Sequence, residues 1–544
     1  MARLEEPVQV GASPASPTVA TAVGERYANK RACAKPFPAE GATAPIRRER
    51  LSLRIDAEHV FEALFAEEPY AFWLDAPARD RGTTLLGAAS SSHAGILVAG
   101  GVLHRVADGI AVATGGTIED AVRSWRAADG GADAGGAKDV GADAVRAEDV
   151  GSGFRRMRAG QVDDQCPLGW IGWFGYEHGA RLLGVPGSPS PYPDVALMAA
   201  DRVIEIDEER DEVSLWYEER DDAAAWVAAT SDRLRAMVAR LRVDRALGGR
   251  RSVVTDSKHS EEGSGRVARA AGHWQHTDAE YLEMIAACQT SIRAGDAYQL
   301  CLTTTVSVPT DEAPWAVFRR VREASHPVNG GFVRFGDVAL LSASPELFLT
   351  VRNGVAATRP VKGTRPRGAT PAEDDALRNE LALDEKECAE NLMIVDLMRN
   401  DLARVSRLGG VAVTELLAVE THKHVHQLVS TVRARLADGV EALDVLNVCF
   451  PAGSMTGVPK LSAMGILARL EGAPRGVYSG CFGRLGLDGS AELAMVIRSI
   501  IMAGGTASVG TGGGITALSE PERELAEVKL KAAALLRALR AQDG

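Results

Sequence analysis

Runs of strand length follow one another closely through residues 331–334, 338–342 and 347–351, and again through 411–419 and 425–436. A longer run, AYQLCLTTTVSV, precedes them, and 477–485, 494–501 and 506–510 follow. Helical spacing is found in separate blocks, at 277–293, 314–324, 372–381, 386–405, 442–449, 460–471 and 520–539. Strands outnumber helices and come in groups. That predicts an α+β chain with antiparallel sheets, not the strand–helix alternation of a doubly wound parallel sheet.

The N-terminal half carries weaker signals. Residues 1–50 mix Ala, Gly, Pro and charge without a period, and a disordered tail is expected there. AEHVFEALFAEE has helical spacing, AFWLDA at 71–76 reads as a strand, and 95–116 reads as two strands around an Asp-Gly turn. Residues 127–164 are an Ala/Gly/Asp repeat that cannot bury enough apolar surface to offset its ordering entropy, so a disordered insertion is expected. Order resumes with the glycine–aromatic strand PLGWIGWFGYEHG, the strands VIEID and VSLWYEE, and a helix at 221–242. The polar stretch 247–271 is the expected linker between an N-terminal region, 51–246, and a catalytic region, 272–544.

Composition narrows the partners. At 544 residues the chain exceeds the size at which one core stops growing. A net charge of −12 opposes binding to nucleic acid or to an anionic membrane surface. The seven cysteines are odd in number and form no Cys-x-x-Cys pair, which suits a reducing compartment better than a disulfide framework. The N-terminus has no secretory pattern, and no run reaches the roughly 18 apolar residues of a membrane helix. A cytoplasmic protein is expected.

Two carboxylate pairs stand at i, i+3 helical spacing: Glu387 with Glu390, and Glu524 with Glu527. Four oxygen donors on two facing helices suit a hard divalent cation such as Mg²⁺. Either pair alone reads more simply as a solvated helix face. The first pair is distinguished by its continuation, NLMIVDLMRND, so apolar that the helix must be buried and acids at its start need partners. PAGSMTGVPKL, 451–461, leads into a helix whose first N–H groups are open to an anion. TGGGIT, 511–516, reads as a turn where backbone can approach a ligand closely. Arg498 within the strand MVIRSI, Tyr478, Glu346 and Lys362 each have a bland reading: an ion pair, a core aromatic, a surface acid and a surface lysine. His422, His424 and His426 alternate along one strand face, where a solvated surface is a simpler reading than a metal site.

Taken together these stretches resemble the chorismate-utilising enzymes, the family of anthranilate, aminodeoxychorismate, isochorismate and salicylate synthases. The resemblance runs from about Trp274 to the C-terminus. It rests on GDAYQ (295–299), SPELF (344–348), TRPVKGT, AENLMIVDLMRND (389–401), PAGSMTGVPK, RGVYSG (475–480), IRS (497–499), GGGI (512–515) and the closing Glu524, Glu527 and Lys531. It implies a four-layer α/β/β/α composite of two packed antiparallel sheets, with the N-terminal segment woven into it. It also implies chorismate as substrate and Mg²⁺ on Glu387, Glu390, Glu524 and Glu527. The substrate carboxylates would then fall to Ser454, Tyr478, Arg498, Gly512, Gly513, Gly514 and Lys531.

Lysine in the PIKGT-like motif marks the members of this family that aminate C4 of the ring; those that aminate C2 usually have alanine there. The implied roles are Lys362, neutral, as nucleophile at C2 and Glu346, protonated, as acid to the departing C4 hydroxyl. Ammonia would come from a separate glutaminase subunit or from free ammonium, since no Gly-x-Cys-x-Gly elbow is seen in this sequence. FWLDA, with Trp73 and Asp75, resembles a stretch that wraps a bound tryptophan in some members. The departures are Gln427 where a histidine is usual, Cys301 for an asparagine, and Leu525 and Ala526 for a more polar pair. Anthranilate or isochorismate synthesis on the same scaffold stays open beside amination at C4, as does a non-catalytic chorismate- or tryptophan-binding regulator. A pure binder has no use for Lys362 and Glu346 together.

Overall fold

Side chains alternate along the strand Tyr70–Asp75: Phe72 and Leu74 pack between two sheets, while Trp73 packs outward beneath helices. The same alternation divides Ile171 and Trp173 from Trp170 and Phe174 in the strand Gly169–Phe174 of the second sheet. Gly172 sits in that strand because a Cβ there would lie 1.8 Å from the carbonyl oxygen of Ala196. The computed structural model describes residues 45–75, 83–89, 95–127, 166–246, 272–422 and 425–539.

Within them the strands form two antiparallel sheets. The first runs in spatial order Ile46–Leu51, Glu212–Glu218, Arg202–Asp207, Thr83–Ala88, Tyr70–Asp75, Asn329–Phe335, Val338–Ser344, Ser499–Ala503, Thr506–Ile515, Gln299–Pro309 and His273–Trp274. The second runs Val361–Pro366, Val425–Leu436, Val355–Thr358, Leu347–Arg352, Ala491–Met495, Cys481–Gly486, Gly169–Phe174, Val195–Ala200, Gly95–Ala99, Val102–Ala107 and Ile110–Ala113. Each sheet joins N-terminal to C-terminal strands, at Trp73↔Phe332 in the first and Trp173↔Phe482 in the second. The N-terminal strands are therefore woven into the C-terminal framework.

Helices cover the outer faces. Ala57–Leu64, Pro314–Ser325 and Pro521–Ala538 bury Phe61, Trp315, Phe318 and Leu535 against the first sheet. Glu385–Ala403 and Ala442–Cys449 bury Ile394, Met398 and Leu446 against the second. This is the α/β/β/α layering the resemblance implies. No helix among the described residues is long and apolar enough to cross a membrane.

Several expectations need correction. Residues 46–50 belong to a strand and not to a tail: Ile46–Leu51 pairs with Glu212–Glu218. IRRERL carries no apolar period; it is held by backbone pairing along its whole length and by Ile46 and Leu51 packed at its two ends, with Arg48 over the Trp216 ring. The segment 95–116 holds three strands, with positive φ at Asp108 and Gly109 marking the second turn. The strand read at 477–485 begins only at Cys481. TGGGIT is largely strand, Thr506–Ile515, with Gly512, Gly513 and Gly514 opposite Thr303, Leu302 and Cys301. The rest of the expected tail (1–44), the insertion from residue 128 onward and the linker 247–271 lie outside the described residues.

Candidate active site

The run 494–501, read as one strand, is two strands in different sheets. Ala491–Met495 ends in the second sheet and Ser499–Ala503 begins in the first, with Arg498 at the crossing. The chain crosses again between Val338–Ser344 and Leu347–Arg352, and there stands Glu346. The crossings are tied together. The Met495 amide donates to the Glu346 carbonyl and the Ala343 amide to the Arg498 carbonyl, both at 3.0 Å. Arg498 has φ 51°, a left-handed backbone that residues with a Cβ seldom adopt and that costs about 1 kcal/mol or more. Its side chain is left exposed to solvent.

Glu346 is 8% exposed, and Ser454 donates to its Oε1 at 3.0 Å. Burial pushes its carboxyl up to about 7, against the opposing pull of Lys362 and the Ser454 hydrogen bond. Near neutral pH it can therefore hold a proton. Ser454 lies in the short 3₁₀ turn Gly453–Met455 that follows Pro451.

Lys362 lies on the edge strand Val361–Pro366, whose pairing with Val425–Leu436 gains an extra residue between Val361 and Thr364. Such a bulge re-aims side chains. Gly363, at φ 82°, packs against Leu381 and Glu387, where a Cβ would fall 2.8 and 3.2 Å from them. Lys362 Nζ stands 3.8 Å from Glu390 Oε2, with 16% of its side chain exposed.

The four carboxylates lie on the two expected helices, Glu385–Ala403 and Pro521–Ala538, and each faces a basic side chain. Glu387 is 3.8 Å from Arg365, Glu527 is 2.7 Å from Lys531, and Lys386 lies 3.9 Å from Glu390 and 3.3 Å from Glu524. Burial and neighbouring carboxylates raise the Glu387 carboxyl; burial also raises that of Glu390 despite Lys362 and Lys386. For Glu527 burial is outweighed by Lys531, Lys386 and Lys362, which hold it below the usual carboxylate value. Among the described residues no three His, Cys, Asp or Glu side chains stand close enough together to hold a metal as they are. The donors nevertheless fit a hard divalent cation. They are all carboxylate oxygens, and Glu390 and Glu524, from different helices, already converge on one cation, the Lys386 ammonium.

The glycine strand passes between these groups. A Cβ on Gly513 would lie 3.1 Å from Glu524 Oε2, and one on Gly514 would lie 2.3 Å from Gln299 Nε2 and 3.7 Å from Glu390 Oε2. Gln299 is 2% exposed, and its Oε1 has no hydrogen-bond partner. A buried acceptor with no partner in the protein adds an oxygen to the donor set near Glu390. Lys531 donates to the Gly512 carbonyl at 2.9 Å, and Gly510 lies flat against the ring of buried Tyr478. Cys301, opposite Gly514, is buried; its thiol is raised by burial and so stays neutral.

Sequence reasoning missed the group that holds the Tyr478 turn. Arg475 is buried and paired side-on with Glu471, Nε to Oε2 at 2.8 Å and Nη2 to Oε1 at 2.7 Å. It also donates to the carbonyls of Met455, at 2.6 Å, and Cys301, at 2.8 Å, and lies over the Tyr176 ring. Glu177, pushed up to about 7 by burial, accepts the Arg475 and Gly476 amides at 2.7 and 2.9 Å. The i, i+4 spacing of Glu471 and Arg475 is visible in the chain, but it looks like any surface pair.

Two further expectations change. The histidines do not share a strand face: the strand ends at Thr421, His424 lies outside the described residues, and His426 is 1% exposed with Nε2 2.9 Å from Asp374. Trp73 is 1% exposed, packed among Phe61, Trp315 and Phe318, and its Nε1 donates to Asp75. Only Asp75, paired with Arg322, reaches the cleft between the sheets, beside Asn329, Gly330, Phe482 and Arg484.

Two packed antiparallel sheets with this constellation at their crossings define a chorismate binding enzyme. That family's sequence model matches residues 129–537, and the chain belongs to the family. The match begins well before Trp274, in the half where motifs were faint. The chain is 38% identical over 496 residues to an aminodeoxychorismate synthase of Streptomyces griseus, covering 90% of this chain and 63% of that protein. It is 36% identical over 508 residues to one of Streptomyces pristinaespiralis, covering 92% and 66%. It thus spans just under two thirds of the length of these two relatives. An anthranilate synthase component 1 of Streptomyces coelicolor is 38% identical over 381 residues, 68% of this chain and 73% of that one. The crystal structure of anthranilate synthase component I from Streptococcus pneumoniae superposes with a TM-score of 0.62 at 25% identity, over 84% of this chain and 92% of that one. The menaquinone-specific isochorismate synthase of Escherichia coli shares the fold, with a TM-score of 0.59 at 16% identity over 92% and 95%.

Proposed function

We propose that this protein catalyses the Mg²⁺-dependent amination of chorismate to 4-amino-4-deoxychorismate, on the way to 4-aminobenzoate, with ammonia normally supplied by a glutaminase partner. The observation that carries the reading is a largely enclosed Lys362 whose charge acts on buried Glu346, a carboxyl pushed up to about 7. The neutral Lys362 amine attacks C2 as both ring double bonds shift, C1=C2 to C1=C6 and C5=C6 to C4=C5, and the C4–O bond breaks. Glu346 gives its proton to the leaving hydroxyl, which departs as water. Ammonia then attacks C4, both double bonds shift back, and the C2–N bond to Lys362 breaks. The nitrogen ends para to the ring carboxylate.

Glu387, Glu390, Glu524 and Glu527 are the residues that would hold Mg²⁺. When bound it supplies positive charge for the ring carboxylate. Arg498, exposed at its crossing, Lys531 and the Ser454 turn would hold the remaining substrate charge. The cleft at Asp75 is the proposed place for tryptophan, and Trp73 lies on the opposite face of the same strand.

The test is incubation with chorismate, Mg²⁺ and ammonium, with products identified by mass and ultraviolet spectra. Anthranilate or isochorismate as product would overturn the reading, and tight binding without turnover would favour a regulator. Product formed by the chain alone with glutamine as sole nitrogen source would remove the need for a partner.

A further inference from the structure

Glu390 and Glu524 come from different helices, are 8% and 5% exposed, and carry like charges into a poorly solvated space. Without compensation they would drive the helices Glu385–Ala403 and Pro521–Ala538 apart. Of the basic groups around the carboxylates, most are fixed by other bonds. Arg365 is also held by Glu380 at 3.1 Å and Asp384 at 2.8 Å, and Lys531 by the Gly512 carbonyl. Lys362 is largely enclosed. Lys386 differs on both counts. Its ion pairs go to Glu390 and Glu524, one on each helix, and 45% of its side chain is exposed.

We propose that Lys386 is a placeholder cation: its ammonium holds Glu390 and Glu524 together before metal enters, and swings into solvent when a divalent cation takes that place. The inference rests on the metal reading given under Proposed function. A lysine at the second position of a helix, with a flexible four-carbon stem, can leave without disturbing the backbone. A dication between the same oxygens would repel it. The exchange also bears on Lys362. Glu390 is bracketed by Lys386 on Oε1 and Lys362 on Oε2, so a stronger cation on Glu390 loosens its hold on Lys362.

The test uses the full chain stripped with EDTA, as wild type, Lys386→Met and Lys386→Arg. The thermal midpoint is read without metal, Mg²⁺ binding by calorimetry and Mn²⁺ binding by electron paramagnetic resonance. Lys386→Met should lower the metal-free midpoint and tighten both metals about five- to tenfold, the scale of two partly exposed ion pairs lost together. Lys386→Arg should stay within about twofold of wild type, because the charge remains. If Lys386→Met does not fold without metal, Mn²⁺ titration through EDTA buffers of protein purified in its presence still reads the affinity. Metal binding no tighter in Lys386→Met than in wild type overturns the role of Lys386 while leaving the metal reading intact. A wild-type protein that binds neither metal overturns both.

Discussion

Lys362 Nζ lies 3.8 Å from Glu390 Oε2, so the nucleophile of the proposed reaction is ion-paired to a carboxylate of the proposed metal site. The two roles, read separately along the chain, meet in one contact.

Lys362→Ala should lower the rate of 4-amino product at least about a hundredfold, the scale of losing a positioned catalytic group. Lys362→Arg should do no better: it keeps the charge facing Glu390, but a guanidinium does not lose its proton in proteins. Rates measured by mass spectrometry decide it, and a normal rate for either variant removes the covalent step.

Glu346 titrates at about 7, so its acid form is half populated there and falls about tenfold per pH unit above. Turnover limited by that acid should decline on the alkaline side of pH 7, and Glu346→Gln should be impaired throughout. Stability also falls with rising pH, but in a lower window. Ionising a buried carboxyl whose ordinary value is 4.5 destabilises the fold as pH rises from about 4.5 to 7. Glu346→Gln should gain up to about 3 kcal/mol over wild type at pH 8, with the gain vanishing near pH 4.5. Urea denaturation at both pH values checks this; no gain at pH 8 would mean that Glu346 is not held protonated by burial.

Glu471→Gln should destabilise the protein by about 3–5 kcal/mol, because it leaves the buried Arg475 charge uncompensated. Since Arg475 anchors the Met455 and Cys301 carbonyls, chorismate KM should rise as well. An unchanged denaturation midpoint contradicts the assignment of Arg475 as the anchor of this turn.

Trp73→Ala should cost about 3–5 kcal/mol as a core deletion, with or without tryptophan. Asp75→Asn, at the cleft, should instead weaken tryptophan binding. Calorimetry with tryptophan separates them, and loss of binding in a Trp73→Phe variant that folds normally would return Trp73 to the ligand.

The chain order of strands and helices was legible because periodicity is a local property, and Thr277 to Arg293 shows it. The helix begins at a capping box on Thr277 and Glu280 and stops before Gly295 at φ 86°. Breaks imposed by distant pairing were not legible. MVIRSI reads as one strand because its residues suit a strand. Its division at Arg498 follows from two sheets that each claim one end. The three glycines suggested a turn for the same reason, yet their partners are Thr303, Leu302 and Cys301, some two hundred positions away in the chain.

The sequence alone determined the α+β class, the antiparallel sheets and the residue types able to do the chemistry: Lys362, Glu346 and the two carboxylate pairs. Tertiary structure decided who stands beside whom. Ser454 reaches Glu346 across 108 residues and Glu177 caps Arg475 across 298. It also decided that every carboxylate of the proposed metal site begins with a basic partner. Hydrophobic period and motif spacing carry information over a turn or two of chain. Burial and the fields of neighbouring charges depend on contacts that exist only once the two sheets have closed on each other.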